Sequence, residues 1–157
     1  MIFLGIDPGI SGGIVAISDS NSPAKVIAAH KMPKTTEGVV ETIQTITDTK
    51  EQILAIVEKV WGFPRDGSRQ ITTFMKNAGI LEGILAVLKI QIVYVSPQKW
   101  QRALGVYAIT RALADTITKK KNIHKQQALE LFPNTKITLA TCDAFLLAEF
   151  GRRCIQK

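Results

Sequence analysis

Runs of apolar residues along the chain are short, and most are bounded by turn-forming residues. The first three, Ile2–Ile6, Gly13–Ser18 and Lys25–His30, carry β-branched and small apolar side chains. Pro8-Gly9…Gly12 separates the first two, and Asp19-Ser20-Asn21-Ser22-Pro23 separates the second and third. Such close spacing between turn signals predicts an antiparallel three-strand meander. A Thr-rich stretch with apolar residues at 39, 40, 43 and 46 follows and has helical periodicity. Ile53–Val57 is a continuous apolar run ending at Glu58, short and β-branched enough for a buried strand.

Gly and Pro mark 61–69, Trp61 to Arg69, as a loop. Apolar residues at 71, 74, 75, 78, 81, 84, 85 and 88 then predict a long amphipathic helix, from Ser68 to Lys89. Ile92–Val95 predicts a fifth strand, and Pro97 suits the first turn of a short helix bearing Lys99, Trp100 and Arg102. Ala108–Thr118 and Asn122–Leu131 are predicted helical, with Lys119-Lys120-Lys121 between them, and Pro133 closes that segment. A last helix is expected from about Ala140 to Arg153. The order predicts an α/β fold with a mixed five-stranded sheet: three antiparallel strands, then two joined by helical crossovers, flanked by helices.

Length and composition are consistent with this. At 157 residues, with 46% hydrophobic and 21% charged, the chain suits one globular domain over 1–157 with a sizeable core. Two cysteines, Cys142 and Cys154, are too few for a disulfide scaffold. No apolar run reaches transmembrane length, and Met1 leads directly into the first strand without a signal-peptide pattern, so an intracellular protein is expected, with no membrane partner.

Charge narrows the function. The net charge is +7. Lys59 to Lys125 contains twelve basic and three acidic residues, whereas the rest contains eight basic and ten acidic. A basic middle between near-neutral ends suits a polyanion such as nucleic acid.

Against that background three acids stand out. Asp7 ends the first strand, Glu58 ends the fourth, and Asp143 starts the otherwise apolar last helix. Each has an ordinary explanation when taken alone: a turn cap for Asp7, an ion pair with Lys59 or Lys99 for Glu58, a helix N-cap for Asp143. Taken together, three acids on apolar elements of a basic protein suggest a carboxylate cluster neutralised by a divalent ion. Mg²⁺ takes oxygen ligands and commonly bridges carboxylates to phosphate, and two such ions about 3.5–4 Å apart serve phosphodiester hydrolysis. No Cys/His spacing suits zinc, and His30 and His124 stand alone as surface or structural residues.

Gly5-Ile6-Asp7-Pro8-Gly9 with Ser11-Gly12-Gly13, Val57-Glu58-Lys59-Val60, Pro97-Gln98-Lys99-Trp100-Gln101, Leu131-Phe132-Pro133 and the run Asp143–Arg153 occur in an order that resembles the RuvC family of Holliday junction resolvases. The likeness spans nearly the whole chain and is greatest to the family's phage, viral and organellar branch. It implies an RNase H-like fold, a homodimer, and Mg²⁺-dependent cleavage of two strands at a four-way DNA junction, with Mn²⁺ as a possible substitute. The metal ligands it implies are Asp7, Glu58 and Asp143. The family usually adds an acid or histidine three or four residues before the last Asp; here those positions are Ala140 and Leu139. On a helix they would share the face of Asp143, and Thr138 or Thr141 is left to position a water.

The cations divide by the same resemblance. Lys99 matches the Pro-x-Lys-Trp segment, and Lys119, Lys120 and Lys121 match a basic segment that approaches the scissile phosphate. Lys121 or Lys120 could offset charge in the transition state. Arg65, Arg69 and Lys76 flank the loop after Glu58, where Phe63 is suited to stack on or wedge between bases. Small residues on the long helix, Ala78, Gly79, Gly83 and Ala86, leave one face for a second copy of the chain.

Three rival readings remain. One is a junction-binding protein with little or no turnover, lacking the fourth ligand. Another is an RNase H-like nuclease acting on other branched DNA or on RNA. The third is a nucleotide-binding protein, because Asp7–Gly13 also resembles a phosphate-binding hairpin of the actin and sugar-kinase superfamily. Those proteins need a second lobe and hairpin that this chain lacks, so no nucleotide cofactor is expected.

Overall fold

The protein is described here from a computed structural model. It describes residues 1–19, 24–59 and 68–154, without the side chains of 68–70, 73 and 74.

Five strands form one sheet: β1 (Ile2–Asp7), β2 (Gly13–Ser18), β3 (Lys25–Lys31), β4 (Ile53–Glu58) and β5 (Gln91–Val95). The strand order is β3-β2-β1-β4-β5. The first three strands pair antiparallel, whereas β4 joins β1 and β5 joins β4 in parallel. The two parallel pairings require crossovers, which α1 (Thr36–Thr47) and α2 (Ser68–Val87) supply. The mixed sheet expected from the hydrophobic pattern is the sheet observed.

Strand alternation divides the apolar side chains between two faces. Ile2, Leu4, Ile6, Ile14, Ala16, Ala55 and Val57 face a core closed by Val39, Ile43 and Ile46 of α1 and Leu81 and Leu85 of α2. Phe3, Val15, Ile17, Leu54 and Ile56 face the opposite core. That core is closed by α3 (Pro97–Ala103), Val106, α5 (Ile117–Leu131) and α6 (Cys142–Cys154), while α4 (Tyr107–Leu113) packs on α3 and α5. Every residue of α6 from Cys142 to Gly151 is buried. The helix lies directly on β1, where a Cβ on Gly5 would collide with the carbonyl oxygen of Ala144 and the amide of Ala148. Glycine at position 5 is therefore what lets the backbone of α6 approach the central strand.

Of the element boundaries that differ from the sequence reading, three bear on the site. The helix expected over Ala108–Thr118 ends at Leu113, and Thr116 caps a new helix by accepting from the Lys119 amide at 3.2 Å. Lys119, Lys120 and Lys121 consequently lie within the start of α5 rather than between two helices. The local Asp115-Thr116 pair explains the break, since Thr is a good N-cap and a poor helix interior residue. The last helix starts at Cys142, so Leu139 and Ala140 lie in the preceding turn and do not share a helix face with Asp143. Among the described residues, no helix is long and apolar enough to cross a membrane. Cys142 and Cys154 are both free thiols.

Candidate active site

The end of the sheet where β1 and β4 run out is where the acids gather. These strands are parallel neighbours, with Ile6 opposite Val57, so Asp7 and Glu58 leave the sheet side by side. Asp143, in the first turn of α6, arrives from the helix lying over β1. Asp7 is 9% exposed and Asp143 4%.

Each carboxylate has one oxygen held by a nitrogen donor from a different residue, and Asp143 Oδ1 also accepts from Cys142 Sγ at 3.5 Å. The Gly9 amide donates to Asp7 Oδ1 at 3.2 Å, the turn bond that an acid at a strand end would be expected to make. The indole Nε1 of Trp100 donates to Glu58 Oε1 at 2.8 Å. Nδ1 of His124 lies 2.7 Å from Asp143 Oδ1. The second oxygens of Asp7 and Asp143 meet a single cation: Lys121 Nζ is 2.9 Å from Asp7 Oδ2 and 2.7 Å from Asp143 Oδ2.

The electrostatics follow from this packing. Burial, and then the charge of Asp7, push the Glu58 carboxyl up to about 7; Trp100 and Lys120 work against the rise, and the charge of Asp143 adds to it. For Asp143, burial acts upward, but the His124 hydrogen bond and the Lys121 charge outweigh it and hold the carboxyl down to about 2. Burial lowers the Lys121 pKa, but the charges of Asp143 and Asp7 more than reverse that and hold it above the ordinary lysine value, as an ammonium. Burial, followed by the charge of Asp143, raises the neighbouring Cys142 thiol to about 12 and keeps it protonated.

His124 does not stand alone, as the sequence reading had it. It is wholly buried on α5, bonded to Asp143, with its Nε2 3.3 Å from Thr110 Oγ1 and its ring edge-on to Trp100. Trp100 was singled out only as part of a motif, yet it is wholly buried while Lys99 beside it is exposed. Lys119 points away to a surface pair with Asp115. Lys120 is half-buried and its charge reaches Glu58. Lys76 is exposed on α2. Phe63 and Arg65 lie outside the described residues, as does the side chain of Arg69. A cleft of about 560 Å³ opens beside Lys121, lined by Ile10, Gly12, Ile117 and Leu139. Lys31 and Lys34 line it too, two cations that the sequence reading passed over because they fall outside the basic middle of the chain.

The donor set has the chemistry of a hard-cation site: carboxylate oxygens only, three of them against one ammonium. Among the described residues no three His, Cys, Asp or Glu side chains are close enough to hold an ion together as they stand. Lys121 holds the place between Asp7 and Asp143, where a divalent ion would have to replace the ammonium. The turn before α6 supplies no further carboxylate or imidazole. The Thr138 and Thr141 hydroxyls bond each other at 3.1 Å, and Leu139 and Ala140 carry no ligating atom.

No protein-family model matches the chain, and no curated protein matches it. Solved structures do. Thermus thermophilus RuvC aligns over 98% of this chain and 96% of its own length, with a TM-score of 0.64 and 14% identity. T. thermophilus RuvC in complex with a Holliday junction substrate aligns over the same shares, with a TM-score of 0.65 and 13% identity. The chain therefore has the RuvC-type, RNase H-like α/β fold.

Proposed function

We propose that this chain is a divalent-metal-dependent, structure-selective endodeoxyribonuclease that resolves four-way DNA junctions by paired phosphodiester hydrolysis. The observation that carries the reading is the meeting of Asp7 and Asp143 on Lys121, with Glu58 within electrostatic reach of both acids, at one end of a RuvC-type sheet. Asp7, Asp143 and Glu58 would hold Mg²⁺, or Mn²⁺ in its place. The ion would supply Lewis-acid stabilisation of charge on the phosphate oxygens. Lys121, released from the two aspartates, is positioned to offer its ammonium to the same phosphate. Lys76, Lys99, Lys119 and Lys120, with Arg65, Arg69 and Phe63 of the segment after β4, would bind the arms and centre of the junction.

Residues 1–157 would act as one nuclease domain in a homodimer. Two-fold symmetry matches two scissile strands, and the outer face of α2 is suited to the contact, since a Cβ on Gly79 or Gly83 would meet nothing within 4 Å. The motifs favour the phage, viral and organellar branch of resolvases, and a role in DNA recombination and repair.

One observation favours a second reading, junction binding with little turnover. Lys121 fills the place between two of the ligands, and the turn at Leu139 and Ala140 offers no fourth.

The test is cleavage of a labelled immobile four-way junction in Mg²⁺, Mn²⁺ or EDTA, with linear duplex and flap controls. Paired symmetric nicks that require metal are expected. Tight junction binding without nicks in either metal would select the second reading, and equal cutting of flaps would select a broader branched-DNA nuclease.

A further inference from the structure

A buried imidazole is costly unless its nitrogens are engaged, and His124 has both engaged while wholly buried. Its environment is one-sided. Trp100 packs against it with 5.0 Å between ring centroids and 71° between planes. Its polar contacts are Thr110 of α4 on one nitrogen and Asp143 on the other.

We propose that His124 is the positioning residue for Asp143, and that it does from α5 what no side chain at 139 or 140 can do. The inference rests on the nuclease reading above and extends it to a residue outside the ligand set. An ionised Asp143 accepts at Oδ1, so His124 donates from Nδ1, and Thr110 engages the other nitrogen. With Oδ1 held at 2.7 Å, the carboxylate cannot turn about its Cβ–Cγ bond, and Oδ2 stays aimed at the place now filled by Lys121 Nζ. Glu58 is fixed in the same way by Trp100, the ring against which His124 packs. The two rings form one wall behind two carboxylates. Thr138 and Thr141 are bonded to each other, and the Cys142 thiol, which also reaches Asp143 Oδ1, is a weak sulfur donor at 3.5 Å, so His124 makes the short bond that fixes the carboxylate. Histidine–carboxylate pairs behind a metal site commonly govern affinity by 10–100-fold.

The experiment measures Mn²⁺ binding to the full chain by calorimetry, with no DNA present, for wild type, His124→Asn and His124→Phe. Unfolding in EDTA is followed alongside. An asparagine amide can donate from near the position of Nδ1, whereas phenylalanine keeps the ring and loses the donor. His124→Asn should hold Mn²⁺ within about threefold of wild type, and His124→Phe should bind about 10–100-fold more weakly. If the Phe variant does not fold, Thr110→Val reads the same role one bond further out, and measurable weakening is again expected. Unchanged affinity in the variants, against wild type that binds, would overturn the role of His124 and leave the nuclease reading intact. Equal weakening in the Asn and Phe variants would overturn the hydrogen-bond assignment. Wild type that binds no Mn²⁺ would overturn the metal reading itself, and this role with it.

Discussion

The indole of Trp100 stands edge-on to the imidazole of His124, and the two rings hold two different acids, Glu58 and Asp143. Neither ring reaches solvent. The polar ends of both are thus determined by the core behind them, which makes the geometry of the acids a property of the packing.

Removing one acid separates cutting from binding. Asp7→Asn is expected to abolish junction cleavage and leave junction binding within a few-fold of wild type. Asparagine can still accept from Gly9 but no longer offers a charged oxygen to a cation. Gel-shift and nicking assays on the same preparation check this, and parallel loss of binding and cleavage would mean that Asp7 supports the DNA surface as well.

The second prediction concerns acidity. Glu58 is raised from 4.5 to about 7, so the folded state binds its proton more tightly than the unfolded state. Its stabilising contribution is therefore complete below about 4.5 and is lost as pH rises through 7. Glu58→Gln should remove that loss. In EDTA the variant should gain on wild type between pH 5 and pH 8 by on the order of 2–3 kcal/mol, since each pKa unit is about 1.4 kcal/mol. Urea unfolding at several pH values measures the difference, and identical pH slopes for the two proteins would show that Glu58 titrates normally.

Gly5→Ala is expected to be severe. The added methyl group runs into the backbone of α6 at Ala144 and Ala148, which cannot move aside as a flexible side chain can. Overpacking of this kind costs about 1–3 kcal/mol or more. Because α6 also carries Asp143, the variant should lose metal-dependent activity beyond its loss of stability. A melting temperature within a degree of wild type would show that the helix can shift.

Salt should act steeply on binding. The chain has a net charge of +7, and Lys31, Lys34 and Lys121 line the cleft beside the acids. A protein making six to ten phosphate contacts loses roughly 10³–10⁵ in affinity between 50 and 200 mM salt. Titrations of a metal-free junction complex over that range are expected to fall along such a slope, and a flat response would assign the affinity to uncharged contacts.

The sheet was legible because its signal is local. Continuous or alternating apolar runs bounded by turn residues give the strands, and an acid at the end of such a run is conspicuous, as Asp7 and Glu58 are. The second layer was hidden because its signal is not local. In α5 only His124 and Ala128 are buried, and most of the helix is polar, so periodicity does not reveal which face turns inward. The available clue was spacing: Lys121, His124 and Ala128 lie three and four apart and share a face. Trp100 was equally visible as a large apolar residue, but it was read only as part of the Pro97–Gln101 motif, which does not show that its indole would reach Glu58. The break before α5 was missed because Asp115-Thr116 was read as helix interior rather than as a cap.

The central strand has a consequence for how the molecule comes into being. β1 pairs with β2 and β4 and carries α6 across its face, and Asp7 meets Lys121 over a separation of 114 residues. Such a topology has high contact order, and its closing contacts are among the slow ones. During synthesis the five strands emerge before α6, the element that carries Asp143. Asp7 and Glu58 therefore precede Asp143 in the order of synthesis, and the cluster is complete only once α6 docks on β1.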